Sequence, residues 1–243
     1  MKIIFSRKGF DSSAGGGPSP IVDGRTLSLP IPDSAGISRT SFAALGLDEH
    51  ARRASHGKLL GTNACHNDPL FLPNSRALLG QCGAAQTHLV NNKVGEGDLF
   101  LFFGLFREDS CAPHHRIFGF LEVKEAVDVA TCSQSVRADL AALDHPHALA
   151  MHGRNDMIYC GRGATGARAL EELRLTVPEG PPSLWQVPGW LRRKGLSYHG
   201  REDRWMPDNR LQSVARGQEF VTDIADCKVG RDWAARIISL IEA

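Results

Sequence analysis

The chain of 243 residues has no Cys-x-x-Cys among its six cysteines. They stand scattered at Cys65, Cys82, Cys111, Cys132, Cys160 and Cys227. That spacing excludes a zinc ribbon and a dense disulfide framework, and leaves reduced thiols used as small packing residues. No apolar run approaches the roughly 20 residues that cross a bilayer. Nothing at the N-terminus reads as a signal-peptide core, so a cytoplasmic protein without a membrane partner is expected. A surplus of one charge is missing too. A formal net charge of +1 excludes a protein held to nucleic acid by bulk electrostatics, so any such contact needs a local patch. There is no internal repeat, no low-complexity tract and no Pro/Gly/Ser linker that divides the chain, and residues 1–243 read as a single domain.

What is present is a series of short apolar runs. Ile3-Ile4-Phe5 reads as a strand. Asp23-Gly24 reads as a hairpin turn between Pro20-Ile21-Val22 and Thr26-Leu27-Ser28-Leu29. Residues 41–55 have a weak helical pattern. Leu99 to Phe106 is continuously apolar and bounded by glycine turns, as a fully buried strand would be. Arg116 to Val123 is placed to pair with it across the loop from Arg107 to His115. Residues 133–143 read as a helix, and 157–160, 173–177 and 219–223 as short strands. From Asp232 to Glu242, Trp233, Ile237, Leu240 and Ile241 share one face of an amphipathic helix. The expected fold is α+β: a mixed or barrel-like sheet of short strands, peripheral helices and a closing C-terminal helix.

Four clusters could carry chemistry. In the first, the N-terminal strand empties into a glycine-rich loop flanked by Arg7, Lys8, Asp11 and Ser12. It is neither a Walker loop nor a dinucleotide turn. Glycines still let N–H groups face one concavity, and the cations add charge. Arg7, Lys8, Ser12, Gly16 and Ser19 are therefore candidates for nucleotide phosphate, with Asp11 a candidate acid or base. In the second, His66 and Asp68 lie two apart in an extended segment, on one side of the backbone. They suit a general base with its orienting partner, or two metal ligands. In the third, Gly80 to Leu89, the amides of Gln81 and Gln86 and the ring of His88 suit a nucleobase edge, whereas Gly83, Ala84 and Ala85 equally suit a closely packed helix. The fourth is Asp144-His145-Pro146-His147 with His152, where a metal site is conceivable. Its spacing reads more readily as a proline turn, and no metal is assigned.

Toward the C-terminus, Arg192, Arg193, Tyr198, Arg204 and Trp205 interleave cations with aromatics, as a nucleic-acid surface would. A solvated loop anchored by tryptophans in the core is the competing reading. In the segment Arg216 to Asp223, Glu219 is a further candidate acid or base.

The stretch Gly97 to Val123 is similar to PUA-like barrels of the ASCH, EVE and YTH groups, which commonly hold RNA or a modified base. Over more of its length the chain resembles the nucleotide modification associated domain 3 family. The pieces are Phe5 to Ser12 with Gly16 and Pro18-Ser19-Pro20-Ile21, then His66-Asn67-Asp68-Pro69 and Gly80 to Leu89. Gly97 to Gly104, His145-Pro146-His147, Ser183-Leu184-Trp185, Pro188-Gly189-Trp190 and Gly217 to Val221 with Asp223 follow. The resemblance implies a place in systems of bacteria and phage that handle modified DNA bases, without a settled reaction. The expected function is a protein that modifies a nucleotide or a base, with DNA a better partner than RNA. A PUA-like reader of modified bases is one alternative. A transferase consuming NAD or another nucleotide at the N-terminal loop is the other, and no cofactor is assigned.

Overall fold

The computed structural model describes residues 1–109, 111–215 and 217–243. Ser110, in the loop between the two central strands, and Arg216, at the head of the Gln218-Glu219 segment, lie outside them. The first half carries β1 (Lys2–Arg7), β2 (Ser19–Val22), β3 (Arg25–Thr26), β4 (Ile31–Pro32), α1 (Asp48–Ala54), β5 (Cys65–His66) and β6 (Leu70–Leu72). Next come β7 (Arg76–Gln81), α2 (Gly83–Asn91), β8 (Leu99–Arg107) and β9 (His114–Asp128). The second half has α3 (Gln134–Ala142), α4 (Pro146–Leu149), β10 (Met157–Thr165), β11 (Leu184–Gln186) and α5 (Gly189–Lys194). It ends with β12 (Trp205–Met206), β13 (Arg210–Gln212), β14 (Glu219–Asp223) and α6 (Lys228–Glu242).

The main sheet runs β14-β1-β8-β9-β10-β7-β6, mostly antiparallel, with β1 parallel to β8 and β2 joined alongside β8. The ladder does not close on itself among the described residues. The fold is thus mixed α+β, without a closed barrel.

The continuous apolar run of β8 follows from burial on both faces. Side chains alternate across a strand, so Leu99, Leu101 and Phe103 enter one core while Phe100 and Phe102 enter the other. The first core continues through Ile3, Phe5 and Trp185 to Ile237 and Ile241 of α6. The second holds Ile4, Leu79, Leu89 and Tyr159. A satellite core around Phe10, Leu29, Phe42 and Ala51 fixes the N-terminal loop against α1. Another, around Leu140, Ala148 and Ile158, fixes α3 and α4 to the sheet.

Asp23 and Gly24 both have positive φ (49° and 69°), the backbone of a two-residue hairpin turn, and β2 pairs β3 across them. β8 and β9 pair antiparallel, and the C-terminal helix begins four residues before the expected Asp232. Residues 173–177 are not a strand; Arg174 and Thr176 make only isolated bridges. Residues 41–55 are helical only over α1. No helix among the described residues is long and apolar enough to cross a membrane.

Candidate functional site

Five distant segments meet at the ends of β1, β7 and β14. Arg7, Lys8, Asp11, His66, Asp68 and Gln81 line one cleft of about 280 Å³, together with His147, His152 and Gln218. A second pocket of about 330 Å³ adjoins it, shares Cys82 and Gln218, and is walled by Glu219 and Tyr198. A larger groove of about 560 Å³ lies between the β2–β3 turn and α1. It is lined by none of the buried polar side chains, several of which gather at the cleft and not in the roomier space.

Glu219 organises one wall. The register of β14 on β1 sets it opposite Ser6, and both are fully buried. Its Oε1 accepts from Ser6 Oγ at 2.9 Å, from Lys8 Nζ at 3.3 Å and from Gln81 Nε2. Its Oε2 is buried with no hydrogen-bond partner among the described residues. Burial pushes the Glu219 carboxyl up; the Lys8 charge and the Ser6 bond pull it back only in part. Arg7 lies between the rings of Phe103 and Phe220 and donates to the carbonyls of Ala215 and Val214.

Asp68 organises the other wall. Gly80 N–H donates to its Oδ1 at 2.8 Å, and His145 Nε2 lies 3.4 Å from the same oxygen. Burial alone would raise this carboxyl. The bond and charge of His145, with Lys8 and His147 nearby, outweigh it and hold Asp68 well below the carboxylate range. His66 Nε2 stands 4.0 Å from Asp68 Oδ2. Burial lowers the His66 pKa to about 4, opposed by Asp68 and reinforced by His147, His152 and Lys8.

Three imidazoles close the floor. The rings of His147 and His152 stack at 4.3 Å, and each lies 5.2 Å from that of His66. One ring nitrogen from each falls within 4.8 Å of the others. Asp156, wholly buried, pairs through Oδ1 with His147 Nδ1 and accepts from the backbone N–H of His152 at 2.7 Å through Oδ2. Gly80 makes room for this arrangement, because a Cβ there would stand 2.1 Å from the His147 ring.

Other residues singled out in the sequence lie elsewhere. Ser12 is exposed and lines neither pocket, and Gly16 packs beside Ser55. Ser19 is buried and accepts from Leu29 N–H at 3.1 Å. Asp11 reaches the cleft, but its Oδ1 is engaged by the N–H groups of Ser13 and Ala14 and the Ser13 hydroxyl, which makes it a loop cap. Gln86 is buried and accepts from Tyr159 OH at 3.1 Å. His88 pairs with Ser197 Oγ at 2.9 Å and stacks on Tyr198. Gly83, Ala84 and Ala85 do open a helix, yet its buried face is Gln86 and Leu89.

The basic-aromatic stretch is divided. Trp205 is buried and donates to His199 O at 2.8 Å, so it anchors the core and offers no stacking face. Arg204 donates to Gln212 O, Arg192 lies 3.7 Å from Glu202, and Arg193 is exposed. Tyr198 is 51% exposed and stands at the second pocket, beside Glu219.

Sequence reasoning placed His66 and Asp68 together, weighed His147 and His152 only as a separate cluster with no metal assigned, and gave no role to Asp156 or Gln218. The signal for His147 and His152 was the His-Pro-His turn. Asp156 had none beyond standing next to a strand.

Comparison with curated proteins and with solved structures finds no match. The family model described as nucleotide modification associated domain 3 matches residues 2–223, nearly the whole chain and every segment of the cleft, and the chain belongs to that family.

Proposed function

We propose that the cleft receives a nucleotide or a nucleobase of DNA and that the protein modifies it by proton transfer. The observation that supports this most is the contrast between two buried carboxyls in one polar network. Asp68 is held ionised, and Glu219 is pushed toward its protonated form. Groups whose environments separate them in this way are suited to the roles of base and acid. In this reading Asp68 orients His66 as the base, Glu219 supplies the proton, Gln81 and Gln218 face the base edge, and Lys8 and Arg7 favour phosphate. A cleft of about 280 Å³ suits a base or a mononucleotide.

The test is incubation of the full chain with nucleotides and with DNA carrying natural and modified bases, read by mass spectrometry. A mass change that falls about 100-fold or more in His66→Ala and Glu219→Gln is the expected result. Tight binding with no product anywhere in the panel rejects it.

A reader of modified bases, PUA-like in action, is favoured by one separate observation: Tyr198 is half exposed and stacked on His88 at 4.3 Å beside the Glu219 pocket. A base on that ring would gain about 1–3 kcal/mol. The reader predicts affinity that survives His66→Ala and collapses in Tyr198→Ala. The NAD-consuming reading loses support, since Ser12, Gly16 and Ser19 stand outside the cleft.

A further inference from the structure

We infer that His66, His147 and His152 form a binding site for one divalent transition-metal ion of the zinc class, with open coordination positions facing the cleft. The site stands on the histidines themselves; with an ion bound His66 is a ligand, so the role of base given to it above belongs to the metal-free chain. A chain that bound the metal and no nucleotide would overturn the proposed function and leave this inference intact.

Three independent features carry it. First, the donors converge: one ring nitrogen from each histidine lies within 4.8 Å of the other two, on segments separated by about eighty residues of chain. Imidazole is the donor type that suits zinc, iron, cobalt, nickel and copper, while magnesium and calcium prefer oxygen. Secondly, the surroundings orient the rings. Asp156 engages His147 at Nδ1, which leaves Nε2 as the free donor, and the same carboxylate holds the backbone of His152. A buried carboxylate behind a ligating imidazole fixes its tautomer and raises its basicity. Asp68 stands behind His66 at 4.0 Å in a similar way. Thirdly, the space is reserved: glycine at position 80 admits the His147 ring where any side chain would collide with it.

Hydrogen bonding alone does not account for the arrangement. Among the described residues His152 Nδ1 is buried without a hydrogen bond, 3.7 Å from Asp156 Oδ2. Stacking two imidazoles at 4.3 Å beside a third leaves each ring with fewer bonds than it can make. A shared cation would satisfy those nitrogens together. Three protein donors leave at least one position of a four-coordinate ion for water or a substrate oxygen. That position would open on the cavity that Lys8, Asp11 and Gln81 also line.

The test uses the full chain, stripped with a chelator and titrated with Zn²⁺ and, separately, Co²⁺. Metal content is read by mass spectrometry, and coordination by the visible spectrum of Co²⁺. The expected result is one ion per chain and a Co²⁺ spectrum of tetrahedral type. Affinity should fall more than about 100-fold in His66→Ala and His152→Ala, and about 10–100-fold in Asp156→Asn. The control His56→Asn, at an exposed histidine outside the cleft, should bind as the parent does. His66 and His152 are both partly exposed, unlike His147, and circular dichroism verifies that both alanine variants fold. Failure of the folded parent to hold a stoichiometric ion overturns the inference. So does undiminished binding in both His66→Ala and His152→Ala.

Discussion

At the scale of the residue, the structure separates groups that look alike in the sequence. Asp11, Asp68 and Glu219 are all carboxyls within short polar stretches of sequence. One caps a loop, one is held ionised, and one is raised by burial although Ser6, Lys8 and Gln81 all donate to its Oε1. Lys8 pairs with Glu219 at 3.3 Å, and breaking a buried pair by removing one member costs about 3–5 kcal/mol. Lys8→Met should therefore lower stability by about that amount in urea denaturation. Adding Glu219→Gln should recover most of the loss, because the stranded charge is removed. If the double variant is no better than the single one, the pair is not the source of the cost. Gly80→Ala tests the room reserved for His147: overpacking of this kind costs about 1–3 kcal/mol, and metal affinity should drop with it. Residue types and short spacing revealed His66 with Asp68. They could not reveal Asp156, because nothing local marks a carboxylate whose partners come from another turn of chain.

At the scale of the element, periodicity was the dependable guide. The two-faced apolar run of β8, its partner β9, the Asp23-Gly24 hairpin and the amphipathic α6 were all legible, because each is dictated by alternation, turn chemistry or a helical stripe. Residues 173–177 alternate like a strand yet find no ladder, since β9 and β11 reach them only at single points. β10 was visible only as far as Cys160; its glycine-rich second half looks unlike a strand. Gly161 explains why: at the bulge where β10 shifts register on β9, a Cβ would stand 1.8 Å from Glu122 O. Gly161→Val should cost more than the roughly 1–3 kcal/mol of ordinary overpacking, seen as a loss of melting temperature. On α6, Ile237→Ala should cost about 2–5 kcal/mol by the same measurement, because it empties a site in the main core.

At the scale of the whole molecule, buried neutral histidines couple stability to pH. Burial lowers His114 and His115 to about 4 and also depresses His199. Each keeps its neutral form in the fold but takes a proton in the unfolded chain below about pH 6.5. Between pH 6.5 and about 4 the unfolded state therefore binds more protons, and stability falls as pH falls. Glu219 acts oppositely: its contribution is present below about pH 4.5 and is lost as pH rises through its elevated folded value. It is one group against several. Urea midpoints should decline steadily from pH 7 to 4.5, and His115→Gln should flatten the slope; a level profile would refute this coupling. The gathering of the cleft itself was only partly legible. The sequence supplied its pieces, and the sheet order that brings β14 against β1 is a property of the complete topology.

That pairing has a consequence for synthesis. Glu219 sits on the last strand and Ser6 on the first, 213 residues apart. While the protein is still being made, the early lobe can settle around Phe10 and Phe42, yet the acid wall is still missing. The Glu219 wall thus comes into being in one late event, when the final strand docks, and a half-finished polypeptide on the ribosome has the facing side of the cleft without it.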